Sequence, residues 1–280
     1  MEFEKSVVEL VRTRKSSRSY KEIDIEGATL QKLNDYIALI TKEAKIKARF
    51  VFAHTGEVEN DATKKLGTYG VIKGANSFLV GVLDKDEKNS LEFGYLFEKI
   101  VLFATDLGLG TCWLGGTFKK SDFAKSLSIT ETEFIPIVSP VGFEKEKLRV
   151  FESAMRTLIG ADNRKPWREL FFEGNNSTPL DEASAAPYAI PLEMVRLGPS
   201  ASNKQPWRVT KDGNAFHFYV CRTKGYGVPS YDVQINDIGI AKCHFELTAN
   251  ELGLKGKWLE MTDISTPTQW EYVCSWFDET

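Results

Sequence analysis

The chain has 280 residues, 42% hydrophobic and 27% charged, and a formal net charge of −3. That composition can bury a substantial core and gives no electrostatic case for a nucleic-acid or anionic-membrane partner. No apolar run approaches the roughly 20 residues a bilayer span needs, and the N-terminus lacks a signal-peptide pattern, so a cytoplasmic location is expected.

In chain order, Leu30, Leu33, Ile37 and Ile40 recur at helical spacing and predict a helix over 28–43. ARFVFAH (48–54) and ANSFLVGVLD (75–84) read as strands, the second apolar enough to be central. A long apolar helix over 91–107 stops at Gly108, and TCWLG follows as a short strand. FIPIVSPVG (134–142) is a further strand, which Pro136 and Pro140 push toward an edge or a bend. After the charged connector EKEKLRVFES come a helix near 190–197, strands near 206–210 and 216–221, a helix over 234–252, and strands near 254–260 and 269–275. Helices and strands mixed without regular βαβ alternation predict an α+β architecture and not a Rossmann fold.

Residues 94–113 and 239–258 repeat one another at an offset of 145. The identities are Gly94/Gly239, Leu102/Leu247, Ala104/Ala249, Leu107/Leu252, Gly108/Gly253, Leu109/Leu254 and Trp113/Trp258. Two halves are therefore expected, 1–150 and 151–280.

Three segments carry possible chemistry. RTRKSSRSY (12–20) has the cations and hydroxyls of a phosphate cradle, and equally the composition of a solvated basic loop. GPSASNKQPWRV (198–209) is a tight loop before a strand, suited to the polar edge of a planar heterocycle or simply an ordinary turn. In GLGTCWLGG (108–116) Gly115 and Gly116 let backbone N–H groups approach a flat ligand, where the bland reading is a helix end followed by a strand. This is not the dinucleotide fingerprint of a Rossmann unit. Cys112, Cys221, Cys243 and Cys274 show no zinc spacing, so no metal site is expected and the thiols read as free and buried. His54, His217 and His244 read as structural, Lys64 and Lys65 as exposed helix lysines, and Trp207, Trp258 and Trp270 as core.

Together these segments resemble the FMN-dependent nitroreductase family. The residues that carry the resemblance are Arg14, Ser16, Arg18 and Tyr20; the loop Pro199, Ser200, Asn203, Gln205, Pro206, Trp207; the Gly108–Gly116 segment; and Lys147 with Arg149. The order departs from an ordinary member, in which the P-S-x-x-N loop follows soon after the arginine run. At the repeat offset from Pro199 the first half reads HTGEVEN, so its loop is lost. In the second half Arg164, Lys165 and Arg168 echo Arg14, Lys15 and Arg18, but Trp258 is followed by Leu259 and Glu260 instead of Leu-Gly-Gly.

The chain looks like a fused, tandem nitroreductase. The resemblance implies two nitroreductase-like halves, each a mixed or antiparallel sheet flanked by helices, packed as an intramolecular pseudo-dimer and therefore monomeric. It implies one FMN, bound by Arg14, Lys15, Ser16, Arg18, Leu114, Gly115, Gly116, Lys147, Arg149, Pro199, Ser200, Ala201 and Asn203, with the second site decayed. Arg18 beside the N1/O2 edge and the Gly115 N–H at N5 would be the catalytic groups. The expected reaction is ping-pong transfer from NADH or NADPH to a small-molecule acceptor such as a nitroaromatic or quinone. The alternative is a flavin-binding or sensory protein without efficient turnover.

Overall fold

The computed structural model describes residues 3–54, 71–116, 118, 123, 127–145, 160, 163–228, 230–262, 264 and 266–279. Two compact units divide the chain: Met1–Glu4, Thr13–Asn89 and Leu96–Ile159 form the first, and Lys5–Arg12, Ser90–Tyr95 and Gly160–Thr280 the second.

The first unit is built on an antiparallel sheet of β1 (Ala48–His54), β2 (Ser77–Asp84), β3 (Gly110–Thr111) and β4 (Glu133–Gly142), in the order β1-β2-β4-β3. Helix α2 (Gly27–Glu43) turns Leu33, Tyr36, Ile37 and Ile40 inward, the spacing the sequence predicts. Helix α3 (Ser90–Asp106) starts in the second unit and continues in the first. Tyr36 of α2 stacks on Phe103 of α3 with ring centres 4.0 Å apart. Another cluster gathers Phe78, Val80, Val82, Leu114, Phe118, Phe123 and Val138.

The two prolines do not push β4 to an edge; it lies between β2 and β3. Its register slips between Gly81 and Leu83, opposite the stretch that holds Pro136, so a bulge absorbs the missing donor. Near Pro140 the Cys112 N–H leaves the ladder and donates to the Ser139 hydroxyl at 3.0 Å.

The second unit carries helices α1 (Val7–Thr13, all but its last residue), α4 (Ala189–Leu197) and α5 (Val233–Glu251). Its sheet has β5 (Phe171–Glu173), β6 (Trp207–Asp212), β7 (Ala215–Val220), β8 (Gly256–Leu259) and β9 (Glu271–Asp278) in the order β5-β6-β7-β9-β8. Strand β5 pairs parallel to β6 and every other pair is antiparallel. Helix α1 and strand β5 were not expected from the sequence; β5 has only 3 residues, and α1 shows its apolar period of Val7, Leu10 and Val11 within only 7 residues.

Apart from β5, the four strands of each unit share one spatial order: first, second, fourth, third. The core of the second unit packs Trp207, Phe216, Phe218, Phe245, Tyr188 and Trp276 between its helices and sheet. Helix α5 is buried nearly all round, including Gln234, Asn236 and Asp237.

The repeat identities have structural roles. Both helices end in the same cap: Leu109 N–H donates to Ala104 O and Leu254 N–H to Ala249 O, each at 2.9 Å. Gly108 and Gly253 take the left-handed turn at φ 76° and 75° that this cap requires. Trp113 and Trp258 each donate their indole N–H to a glutamate of the preceding helix at 2.9 Å, Glu98 and Glu246. Those glutamates differ by three positions in the repeat register, so the bond is shared and its partner is not.

Candidate active site

In the first unit the arginine run is an extended strap fixed by backbone hydrogen bonds. Ser17 N–H donates to Thr111 O of β3 at 2.8 Å, and Tyr20 N–H to Lys73 O at 2.9 Å. Lys73 N–H returns to Arg18 O at 3.0 Å, and Lys145 N–H donates to Ser19 O at 3.0 Å. Tyr20 is fully buried and its hydroxyl donates to Ser17 O at 2.6 Å, so the aromatic end of the motif anchors the strap from beneath. Gly74, at φ 78°, is required because a Cβ there would overlap the Tyr20 carbonyl. The run is thus buried from Ser17 to Tyr20, while Arg12, Thr13 and Lys15 remain exposed.

The strap presents its cations differently. Arg18 is buried, Lys15 is exposed and ion-paired with Glu144 at 3.1 Å, and Arg14 is half-buried. Arg14 Nη1 is shielded from solvent and has no hydrogen-bond partner among the described residues. A buried donor of a charged group left unsatisfied costs about 1–3 kcal/mol or more, and an anion would relieve it. Glu144 also accepts from the Ser17 hydroxyl and lies over Gly110, where a side chain would displace it. The sequence reading placed Glu144 in a plain connector; only its pairing with the strap reveals its place.

Leu114 pairs with Val138 in both directions, at 2.9 and 3.0 Å, and so sets the start of the Gly115–Gly116 bend. Lys64, Lys65, Lys147 and Arg149 lie outside the described residues.

In the second unit the Pro199–Asn203 loop has its own frame. Ser202, Asn203 and Gln205 adopt φ of 47°, 55° and 50°, a strained backbone held by side-chain bonds. Ser200 Oγ accepts from Gln205 N–H at 2.8 Å. The Asn203 amide donates to Gly160 O (2.6 Å) and Asn163 O (2.9 Å), so its donors serve the loop itself. Ala201 N–H reaches both carboxyl oxygens of Asp237 at 3.1 Å. Asp237 is fully enclosed, and burial drives its carboxyl well above the usual aspartate range against that one backbone bond. Asp237 was missed in the sequence, where the signal was a carboxylate between Ile235 and Ile238 on a buried helix.

The echo run behaves unlike the first. Arg164 donates through Nε and Nη2 to Leu197 O at 3.2 and 3.1 Å, and through Nη1 to Asn163 O at 3.1 Å and Asn203 Oδ1 at 3.4 Å. Its guanidinium is committed to the end of α4 and the loop. The histidines have structural partners: His54 meets Asp24 at 3.1 Å, His217 meets Ser275 at 2.7 Å, and the wholly buried His244 meets Met194 O at 3.0 Å. Trp207 is core and Trp258 packs against it, but Trp270 lies apart from that cluster, against Phe172 and Tyr219. All four cysteines are free; three are buried, while Cys221 is half-buried, contrary to expectation. Among the described residues no helix is long and apolar enough to cross a membrane.

The α+β architecture, with two sheets flanked by helices, is that of a nitroreductase fold. A solved "putative nitroreductase" of Thermotoga maritima matches it at TM-score 0.56 and 18% identity, over 98% of this chain and 93% of that one. The sequence profile of the family described as "Putative TM nitroreductase" matches residues 6–249, and the chain belongs to that family. Membership supports a general oxidoreductase role. A nitroreductase family protein of Clostridium novyi matches at 21% identity and TM-score 0.41 over 51% of this chain and 87% of that one. An FMN-dependent nitroreductase of Clostridium difficile matches at 19% identity and TM-score 0.38, over 50% and 88%. No curated protein sequence matches the chain.

Proposed function

We propose that the chain is an FMN-dependent oxidoreductase that uses NADH or NADPH to reduce small electron-poor acceptors. The reading rests on the family and on one observation above all: Arg14 keeps a buried donor without a partner among the described residues, whereas its echo Arg164 is bound to protein carbonyls. One cradle is open to an anion and its counterpart is closed, which supports one flavin per chain. We further propose that the halves arose by internal duplication and act as an intramolecular pseudo-dimer, so that the working protein is a monomer.

In this reading Arg14, Lys15 and Ser16, with Lys147 and Arg149, hold the FMN phosphate through charge-assisted bonds. Glu144 tempers the charge on Lys15. Leu114 fixes the backbone from which the Gly115 and Gly116 N–H groups would meet the ring, the Gly115 N–H serving as the donor beside the hydride-transferring atom. Arg18 would supply a fixed positive charge to the flavin ring, favouring negative charge there. Of the loop residues, Pro199, Ser200 and Ala201 would serve the ring, and Asn203 keeps the loop in shape. When bound, FMN supplies two-electron transfer between nicotinamide and acceptor, which none of these side chains can perform.

A visible spectrum of the purified chain tests the reading, followed by anaerobic addition of NADH or NADPH. Bound oxidised flavin that bleaches with either donor and recovers with a quinone is expected. Flavin that stays oxidised with both donors would leave a binding protein without turnover, and a folded chain that takes up no FMN would refute the cofactor.

A further inference from the structure

Asp237 of α5 is a buried carboxyl with no part in the proposed flavin chemistry. It is 2% exposed, and both of its oxygens lie 3.1 Å from the Ala201 N–H. One turn earlier on the same helix, Gln234 accepts from the Thr223 N–H at 2.7 Å and donates to Tyr226 O at 2.9 Å. The turn fixed in this way places the Tyr226 hydroxyl on Ser202 Oγ at 2.9 Å. Helix α5 thus reaches the Pro199–Asn203 loop twice, directly at Ala201 and through Tyr226 at Ser202.

The repeat shows what sets Asp237 apart. At the offset of 145 its equivalent is Glu92, and the equivalent of Lys242 is Phe97. Glu92 meets Lys242 at 3.4 Å. The matching positions, 237 and 97, hold an acid and an apolar ring, so the cation of that pair has no counterpart. The loop motif follows the opposite pattern: the equivalent of Ala201 is position 56, within HTGEVEN, where the motif is absent. The acid with a cation goes with the missing loop motif, and the acid whose equivalent cation is missing holds the loop that is present. A buried carboxyl is costly unless it is neutral or well bonded, and burial raises that of Asp237 well above the ordinary aspartate range. The loop needs such an acceptor. Ser202, Asn203 and Gln205 have φ of 47°, 55° and 50°, and strained backbone persists only where its surroundings over-determine it. The Ala201 N–H at the head of this stretch needs a partner when it is turned away from water.

We propose that Asp237 is a positioning residue for flavin binding, which through the Ala201 N–H holds the Pro199–Asn203 loop in the shape that receives the ring. The inference rests on the flavin reading and deepens it. Without the acceptor the loop spends only a fraction of its time in the receptive shape, and the apparent affinity for FMN falls by that fraction. An amide oxygen serves the same bond, because the role requires an acceptor and not a charge.

Titration of the flavin-free chain with FMN, followed by flavin fluorescence, tests this, with melting temperature measured on the same samples. Asp237→Leu is expected to weaken FMN binding about tenfold or more, and Asp237→Asn to stay within about threefold of the wild type. Glu92→Leu, the same kind of change at the repeat equivalent, should lower the melting temperature and leave the affinity for FMN as it is. Should Asp237→Leu fail to fold, Asp237→Ala, which also lacks the acceptor, decides. Wild-type affinity in the leucine or alanine variant overturns the role. Equal weakening in Asp237→Asn or in Glu92→Leu overturns it too, since the loss would then follow from packing or charge and not from the bond to Ala201. A folded wild-type chain that takes up no FMN refutes the flavin reading and this role together, whereas a wild type that binds FMN leaves the variants to judge Asp237 alone.

Discussion

Gly94 and Gly239, equivalent positions of the sequence repeat, meet the opposite helix in a reciprocal way. A side chain at Gly239 would overlap the carbonyl of Leu91 and lie 2.8 Å from the Tyr95 N, and one at Gly94 would overlap the carbonyl of Asn236. Leu91 and Asn236 are themselves separated by the repeat offset of 145 (236 − 91). The exchange, position i on j and j on i, brings the two helix segments together reciprocally within the second unit.

Gly239→Ala and Gly94→Ala are therefore expected to destabilise the protein. An exposed helical glycine gains about 1 kcal/mol on change to alanine; here backbone overlap opposes it, and overpacking costs about 1–3 kcal/mol. Urea unfolding of both variants reads the sign. Stabilisation of either would mean that the helices do not approach closely at that point.

Gly253→Ala isolates a different cause. A Cβ there meets nothing within 4 Å, so the expected loss of about 1 kcal/mol comes only from the left-handed backbone at φ 75°. Gly253→Asn should lose less, because asparagine tolerates that conformation. Equal midpoints for alanine and asparagine would argue against strain as the cause.

Asp237 makes stability depend on pH. Its carboxyl is raised in the folded chain by burial, so the unfolded chain releases the proton first. Stability is then fullest below the ordinary aspartate range and falls as pH rises toward the folded value. Asp237→Asn keeps an acceptor for Ala201 and cannot ionise. The difference in melting temperature between variant and wild type should grow in the variant's favour from pH 4 to pH 8; a difference that is flat across that range contradicts the assignment.

Arg14 and Arg164 should part company when each is changed to methionine. Arg14→Met is expected to lose FMN while melting no lower than the flavin-free wild type, since it removes an unsatisfied buried donor. Arg164→Met leaves Leu197 O and the loop without donors and should cost about 1–3 kcal/mol. Flavin absorbance and melting temperature, measured on both, separate the roles.

Most of the fold was legible because its elements have clear periods. Leu33, Ile37 and Ile40 marked α2, the run Phe78–Leu83 had no polar side chain, and Gly108 and Gly253 marked two helix ends. The position of β4 was not legible. Proline argues for an edge, and the bulge that admits Pro136 to the interior depends on a partner strand distant in sequence. Of the candidate site, the strap could be read from Arg14 to Tyr20 because the motif is contiguous. Glu144 and Asp237 could not, since each matters through a residue more than thirty positions away, Ser17 and Ala201. The repeat itself pointed first to chemistry, yet its identities fall at the helix crossing and at the two caps. The difference between the halves lies instead in residues outside it, Arg14 and Arg164.

Flavin content per chain, measured from released FMN on protein whose mass in solution is determined at the same time, bears most directly on this asymmetry. One FMN on a single 280-residue chain is the expected result. Two FMN per chain, or a folded chain that binds none when supplied with it, would contradict one open and one closed cradle.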